Sequence, residues 1–275
     1  MTLTCNVCVH HCKLSEGQTG FCHNRMNQNG QNISVGYGRF TAIALDPIEK
    51  KPLSRYMPGS KVLSVGGFGC NLRCPFCQNH EISMAALHQV RTEYVPVDRL
   101  VDEAESLRPY GNIGVAFTYN EPLINYEYIL ECAQMLHTKN MKCVLVTNGT
   151  IEAGILDLLL PHIDAMNIDV KGFTQDVYDR LKGSLETVKH TVEKAYTQCH
   201  VELTTLVVPT LNTDIGDFEK EVQWIASLDP KIPLHITRCF PQYKMKDIEP
   251  TDLSVLYEMK RIAKKYLKDV LLGNC

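Results

Sequence analysis

Three cysteines, Cys70, Cys74 and Cys77, stand at spacing C-x3-C-x2-C in the stretch GCNLRCPFCQN, directly after the apolar run KVLSVGGFG. Thiolates are soft ligands for zinc and for iron–sulfur clusters, and closed sites of either kind usually take four protein ligands. Three thiolates on one short loop can hold three corners of a 4Fe-4S cube and leave the fourth iron open for a substrate or cosubstrate. The competing reading is a three-thiolate zinc site completed by His80 or a distant cysteine, a spacing unusual for zinc. A second set, Cys5, Cys8, Cys12 and Cys22 at C-x2-C-x3-C-x9-C, has four thiolates of its own. It fits a zinc staple or an auxiliary 4Fe-4S cluster, with His10, His11 and His23 as alternates. The polar residues between its cysteines favour zinc, and its compact three-thiolate turn favours a cube.

Twelve cysteines in 275 residues, with no charged-then-apolar leader at the N-terminus, point to a reducing compartment where thiols bind metal rather than pair. The expected location is the cytoplasm. Cys132, Cys143, Cys199 and Cys239 fall in segments of helix or strand pattern and read as small packed hydrophobes. No run approaches the ~18 apolar residues of a membrane span. The net charge of -3 is spread without basic blocks, so neither a membrane nor nucleic acid is an expected partner.

The elements that must position these residues alternate. Apolar runs of strand length cover residues 61–68, 112–119, 142–148, 165–170, 200–208 and 233–239, nearly continuous as parallel strands buried on both faces are. Helical periods fill 97–108, 124–139, 151–160, 187–198, 217–227 and 251–268. Six βα units are too few for a closed eight-stranded barrel of roughly 250 residues. The expected fold is therefore α/β, a partial (β/α)6 barrel over residues 59–275, with a doubly wound open sheet as the alternative. Residues 1–58 read as a small Cys-rich metal module and connector. In either architecture ligands gather at the carboxyl ends of the strands, which is where the three-cysteine loop falls. Gly66 and Gly67 just before it permit close backbone approach or simply a turn.

With Phe76 before its last cysteine, the loop resembles the cluster motif of the radical S-adenosylmethionine (SAM) superfamily. The resemblance implies that the open iron is chelated by the amino and carboxylate groups of SAM. TYNEP, with Asn120 and Glu121, resembles the family's Gly-Gly-Glu-Pro turn, and implies that Glu121 meets the SAM ammonium. TNG, with Thr147 and Asn148, resembles the turn that meets the ribose or methionine end. NIDVK places Asn167, Asp169 and Lys171 at alternating positions, hence on one strand face. By resemblance to activating enzymes of glycyl radical proteins, Asp169 and Lys171 lie near the SAM carboxylate. Where those enzymes carry an acidic residue before the TNG-like turn, this chain has Val146, so a monovalent-cation site lacks that ligand. Arg238 is placed to pair with a carboxylate or phosphate; Thr204, Thr205, His235 and Tyr243 are weaker candidates on or beyond the last two strands.

Over nearly the whole chain the strings GQTGFC, YGRFTAIALDPIEKKPL, NIDVK and RCFPQYKM resemble the AmmeMemoRadiSam-system radical SAM proteins, relatives of pyruvate formate-lyase activating enzymes. The resemblance implies an enzyme that cleaves SAM reductively and abstracts hydrogen from a substrate. That substrate is a glycyl radical enzyme, or else a different peptide or small molecule. An electron donor such as flavodoxin or ferredoxin is implied with it. The non-enzyme alternative is an electron-transfer or zinc-staple protein that never meets SAM.

Overall fold

A computed structural model describes residues 2–275. Its central sheet has eight strands: β1 (Ala42–Pro47), β2 (Lys61–Gly66), β3 (Asn112–Phe117), β4 (Lys142–Thr147), β5 (Ala165–Asp169), β6 (His200–Val207), β7 (Leu234–Arg238) and β8 (Val270–Gly273). They lie side by side in chain order. From β2 to β8 every pairing is parallel, and β1 runs antiparallel to β2. A doubly wound sheet reverses its strand order at a switch point. This one never reverses, so right-handed crossovers put the helices on a single face and the sheet curls into a partial barrel. Six strands fall within the expected runs. The outer two do not: β1 alternates half-buried and exposed positions and ends in a proline, and β8 is four residues long.

After a single helical turn at His80–Ser83, the helices packed on the sheet are α1 (Val97–Ser106), α2 (Tyr126–Thr138), α3 (Ala153–Leu159), α4 (Gln175–Leu181), α5 (Leu185–Ala195), α6 (Ile215–Leu228) and α7 (Leu253–Ala263). Each buries one stripe; α2, for instance, buries Tyr128, Ile129, Cys132, Ala133 and Leu136 against the sheet. Side chains of Thr174, Ser184, Asp214 and Asp252 accept from first-turn N–H groups and fix the starts of α4, α5, α6 and α7. The sequence reading lacks α4, a seven-residue helix that a left-handed Lys182 ends three residues before α5 begins.

The segment between β1 and β2 is not a loose connector. Ile48 and Leu53 are buried with Val62, Ala116, Val144 and Ala165, alternate strand residues that face the barrel interior. Asn167 donates to the Pro52 carbonyl at 2.9 Å, and the Glu202 carboxylate accepts from the Ser54 and Arg55 N–H groups at 3.0 and 2.7 Å. This segment fills the end of the barrel opposite the cysteine loop. Cys5, Val7 and Leu14 also join the main apolar core, so the N-terminal segment is packed on the barrel. Among the described residues no helix is long and apolar enough to cross a membrane.

Candidate functional site

The three-cysteine loop leaves β2 at the carboxyl end of the sheet, and Asn120 holds its entrance. The Asn120 side chain accepts from Gly67 N at 2.9 Å and donates to the carbonyls of Phe68 and Gly69, both at 3.1 Å. Its amide is spent on loop backbone, so where the sequence places Asn120 at the cofactor, the structure places it under the turn. Phe76 is buried with Leu72, Cys74, Val177, Leu181, Val208 and Cys239, and Met245 and Leu211 pack against the same cluster. From the far side, Lys244 N donates to Pro75 O at 2.9 Å and the Tyr243 ring stacks on His80 at 4.5 Å. The loop is thereby enclosed in apolar surroundings.

Glu121, only 2% exposed, ties the ends of β3 and β4 together. One carboxylate oxygen accepts from Leu123 N at 3.0 Å and the Thr147 hydroxyl at 2.7 Å; the other accepts from Asn148 N at 2.8 Å. The Asn148 amide then donates to Asn71 Oδ1 at 2.9 Å and approaches Cys70 Sγ at 3.7 Å. One hydrogen-bonded chain therefore runs from the acid through the β4 turn to the first cysteine. Burial pushes the Glu121 pKa up to about 7 against the pull of those donors.

At the end of β5, Lys171 Nζ donates to Asp169 Oδ2 at 2.7 Å. Burial works against the ammonium, but the Asp169 carboxylate and Cys74 outweigh it and raise its pKa. Burial likewise pushes the Cys74 thiol up to about 12, with Lys171 opposing, and Cys70 and Cys77 are raised for the same first reason. The expected trio on this strand divides. Asp169 and Lys171 stand by the cysteines, whereas Asn167 accepts from the Thr204 hydroxyl at 3.1 Å and turns to the plug.

The remaining candidates lie apart from this network. Arg238 donates to Thr251 O at 2.8 Å and its guanidinium covers the Phe240 ring. Thr205 bonds buried Glu221, and His235 meets Glu202 at 2.6 Å inside the barrel. Sequence reasoning missed two site-shaping residues. One is Arg73, a cation inside the cysteine motif; the other is Glu202, the one acid in a strand of apolar, threonine and histidine residues. Each had that incongruity as its signal.

The family model of the radical SAM superfamily matches residues 64–225, more than half of the chain and the carboxyl ends of β2 to β6. The chain belongs to the radical SAM superfamily. This radical SAM enzyme is 38% identical over 274 residues to an uncharacterized protein of Methanocaldococcus jannaschii, covering 98% of this chain and 80% of that one. It is 24% identical over 220 residues to the pyruvate formate-lyase-activating enzyme of Clostridium pasteurianum, covering 74% and 88%. In fold it is similar to Streptococcus suis SuiB bound to S-adenosylmethionine: TM-score 0.57, 12% identity, covering 75% of this chain and 48% of that one.

Radical SAM membership implies a 4Fe-4S cluster and SAM, and the residues present fit them. Cys70 Sγ accepts from Leu72 N at 3.3 Å, and Cys77 accepts from the Ser83 hydroxyl and Asn79 N. Such donors stabilise and tune cluster thiolates. Among the described residues no group of three or more His, Cys, Asp and Glu side chains stands ready to hold a metal ion. Neither thiol set is a preformed cage, and loading either one must deprotonate and gather its sulfurs.

Proposed function

We propose that the protein cleaves SAM reductively at a cluster on Cys70, Cys74 and Cys77 and takes hydrogen from a protein substrate of the glycyl radical class. The observation that carries the SAM chemistry is the hydrogen-bonded chain from Glu121 through Asn148 to Cys70, and the substrate class rests on the likeness to the pyruvate formate-lyase-activating enzyme. When bound, the cluster and SAM together supply a one-electron cleavage of the sulfonium that yields methionine and a 5′-deoxyadenosyl radical.

The chain's own residues position and shield. A carboxylate offers about four acceptor sites. Three of Glu121's are used, so one remains on the oxygen facing Asn148 for an ammonium. Thr147 and Asn148 fix that carboxylate from the β4 turn and border the ribose or methionine end. The Lys171 ammonium, steadied by Asp169, offers its remaining N–H groups to a carboxylate beside Cys74. Phe76, Met245 and Leu211 keep water from the loop. Asn120 acts by positioning residues 67–69, and Arg238 at the rim of β7 meets an anionic group of cofactor or substrate. A ferredoxin- or flavodoxin-class protein is the electron source.

Anaerobic reconstitution with iron and sulfide, then dithionite and SAM, tests this. The expected products are 5′-deoxyadenosine and methionine in equal amounts, both lost in Cys74→Ala. Product formation that survives Cys74→Ala overturns the reading. Incubation with a candidate glycyl radical enzyme should give a glycyl radical signal in electron paramagnetic resonance (EPR). Turnover without that signal, on every such partner encoded beside this protein, removes the substrate class.

A further inference from the structure

The four N-terminal cysteines touch the SAM-cluster loop, and the contact is made of backbone. A Cβ placed on Gly69, the residue before Cys70, would collide with the Cys22 carbonyl oxygen. The Arg73 guanidinium donates to Cys70 O at 2.8 Å and also to Phe21 O, beside Cys22. It lies over the Phe21 ring at 3.9 Å, and His10, whose ring packs on Phe21, bonds Asn71 O at 2.8 Å. Cys22 and Cys70 are thus joined across one van der Waals contact and one shared cation.

The four thiols form a single set. Cys5 N donates to Cys12 O at 2.9 Å, with Cys8 in the turn between them, and Phe21 N donates to Cys12 Sγ at 3.4 Å. Every sulfur has an N–H donor. Asn32 serves Cys5 at 3.3 Å, the His10 backbone serves Cys8, Phe21 serves Cys12, and Arg25 N serves Cys22 at 3.4 Å. The polar sequence between the cysteines favoured zinc, but the folded segment is sheltered: Cys5, Cys8 and Cys22 are 4%, 6% and 4% exposed. A zinc staple serves a module that lacks a core, and this segment shares the barrel's core. Cys12 is the half-exposed corner and Cys22 the inner one.

We propose that Cys5, Cys8, Cys12 and Cys22 hold a redox-active 4Fe-4S cluster that relays electrons to the SAM cluster through the Cys22–Gly69–Cys70 contact. The proposal rests on the SAM-cleaving reading for its electron acceptor. An external iron–sulfur or flavin protein gives one electron at the Cys12 side and takes the N-terminal cluster from its 2+ to its 1+ state. That electron passes to the cluster on Cys70, Cys74 and Cys77, which becomes 1+ as the first returns to 2+. No bond or proton is exchanged. Arg73 places a cation between two anionic clusters and eases their approach.

The test is metal analysis and EPR on protein reconstituted anaerobically with iron, sulfide and zinc all present. The parent should hold about eight irons and no stoichiometric zinc. Cys70→Ala/Cys74→Ala/Cys77→Ala should keep about four irons and a reducible signal that SAM does not alter. In the fully reduced parent the two signals should broaden one another, as adjacent spins do. In Cys8→Ser/Cys22→Ser that broadening should vanish, and the ratio of ferredoxin-driven to dithionite-driven SAM cleavage should fall at least tenfold. One zinc with four irons in the parent overturns the proposal, as does an N-terminal cluster that reduced ferredoxin does not reduce. If the triple variant keeps its four reducible irons while the parent never cleaves SAM, the SAM-cleaving reading fails and the cluster assignment stands.

Discussion

Glu121 is a carboxylate that burial would rather keep neutral, and three hydrogen bonds hold it between the ends of β3 and β4. In the metal-free protein this has a definite sign. The folded pKa, about 7, lies above the usual 4.5, so between those values the native state keeps a proton that the unfolded chain has released. Stability is then fully present below about pH 4.5 and is lost as pH rises through 7, by about 3 kcal/mol at most. Glu121→Gln should flatten urea midpoints across pH 5–8, and an equally steep loss in the variant would place the titration elsewhere. In the reconstituted protein the same substitution should weaken SAM binding at least tenfold by anaerobic calorimetry, because a neutral amide replaces the partner of the ammonium. Unchanged SAM affinity would remove Glu121 from the ammonium site. The three cysteines stood out as candidates by their spacing, and Glu121 because a carboxylate is costly to bury; both stand at strand ends. Asn120 was legible as a site residue but not as a clamp, since only the folded turn shows which carbonyls its amide meets.

The turn from β2 into the cysteine loop is the element at which the two thiol sets meet. Gly69 takes a φ of +80°, where side chains are strained, and its missing Cβ is what lets the Cys22 carbonyl approach. Gly69→Ala combines both penalties and should cost about 1–3 kcal/mol. That is a drop of several degrees in the melting temperature of the metal-free protein. Reconstituted Gly69→Ala should also hold less iron at both thiol sets, whereas Gly59→Ala, also at positive φ but in open space, should leave iron content unchanged. Equal iron in parent and Gly69→Ala would show that the contact is not needed for loading. At this scale the strands were the readable part. Six runs of continuous apolar residues became six adjacent strands because both faces are covered. The two edge strands escaped notice for the converse reason: β1 has one wet face and β8 is short, so neither carries that pattern.

The whole molecule is closed at one end and chemically equipped at the other, and Glu202 does much of the closing. Its carboxylate, fully buried on β6, accepts from His200 at 3.0 Å, His235 at 2.6 Å and the N–H groups of Ser54 and Arg55. Four donors from the plug and from β6 and β7 meet on one acid, so the segment between β1 and β2 and the far side of the barrel are locked through a single charge. Although burial opposes ionisation, these partners pull the Glu202 pKa down from 4.5 to about 2. The sign is opposite to that at Glu121. A depressed pKa gives stability that is present above about pH 4.5 and is lost as pH falls toward 2, amounting to about 3 kcal/mol. Glu202→Gln keeps the shape and one acceptor but removes the charge, so it should lower the urea midpoint at pH 7 and show little further loss on acidification through this window. Parent and variant should then converge near pH 2. Identical midpoints at pH 7 would mean that the plug is held by Ile48 and Leu53 burial and the Asn167–Pro52 hydrogen bond without the Glu202 charge. A gap that is full at pH 7 and closes between pH 4.5 and 2 would instead show that the barrel's closed end is an electrostatic lock.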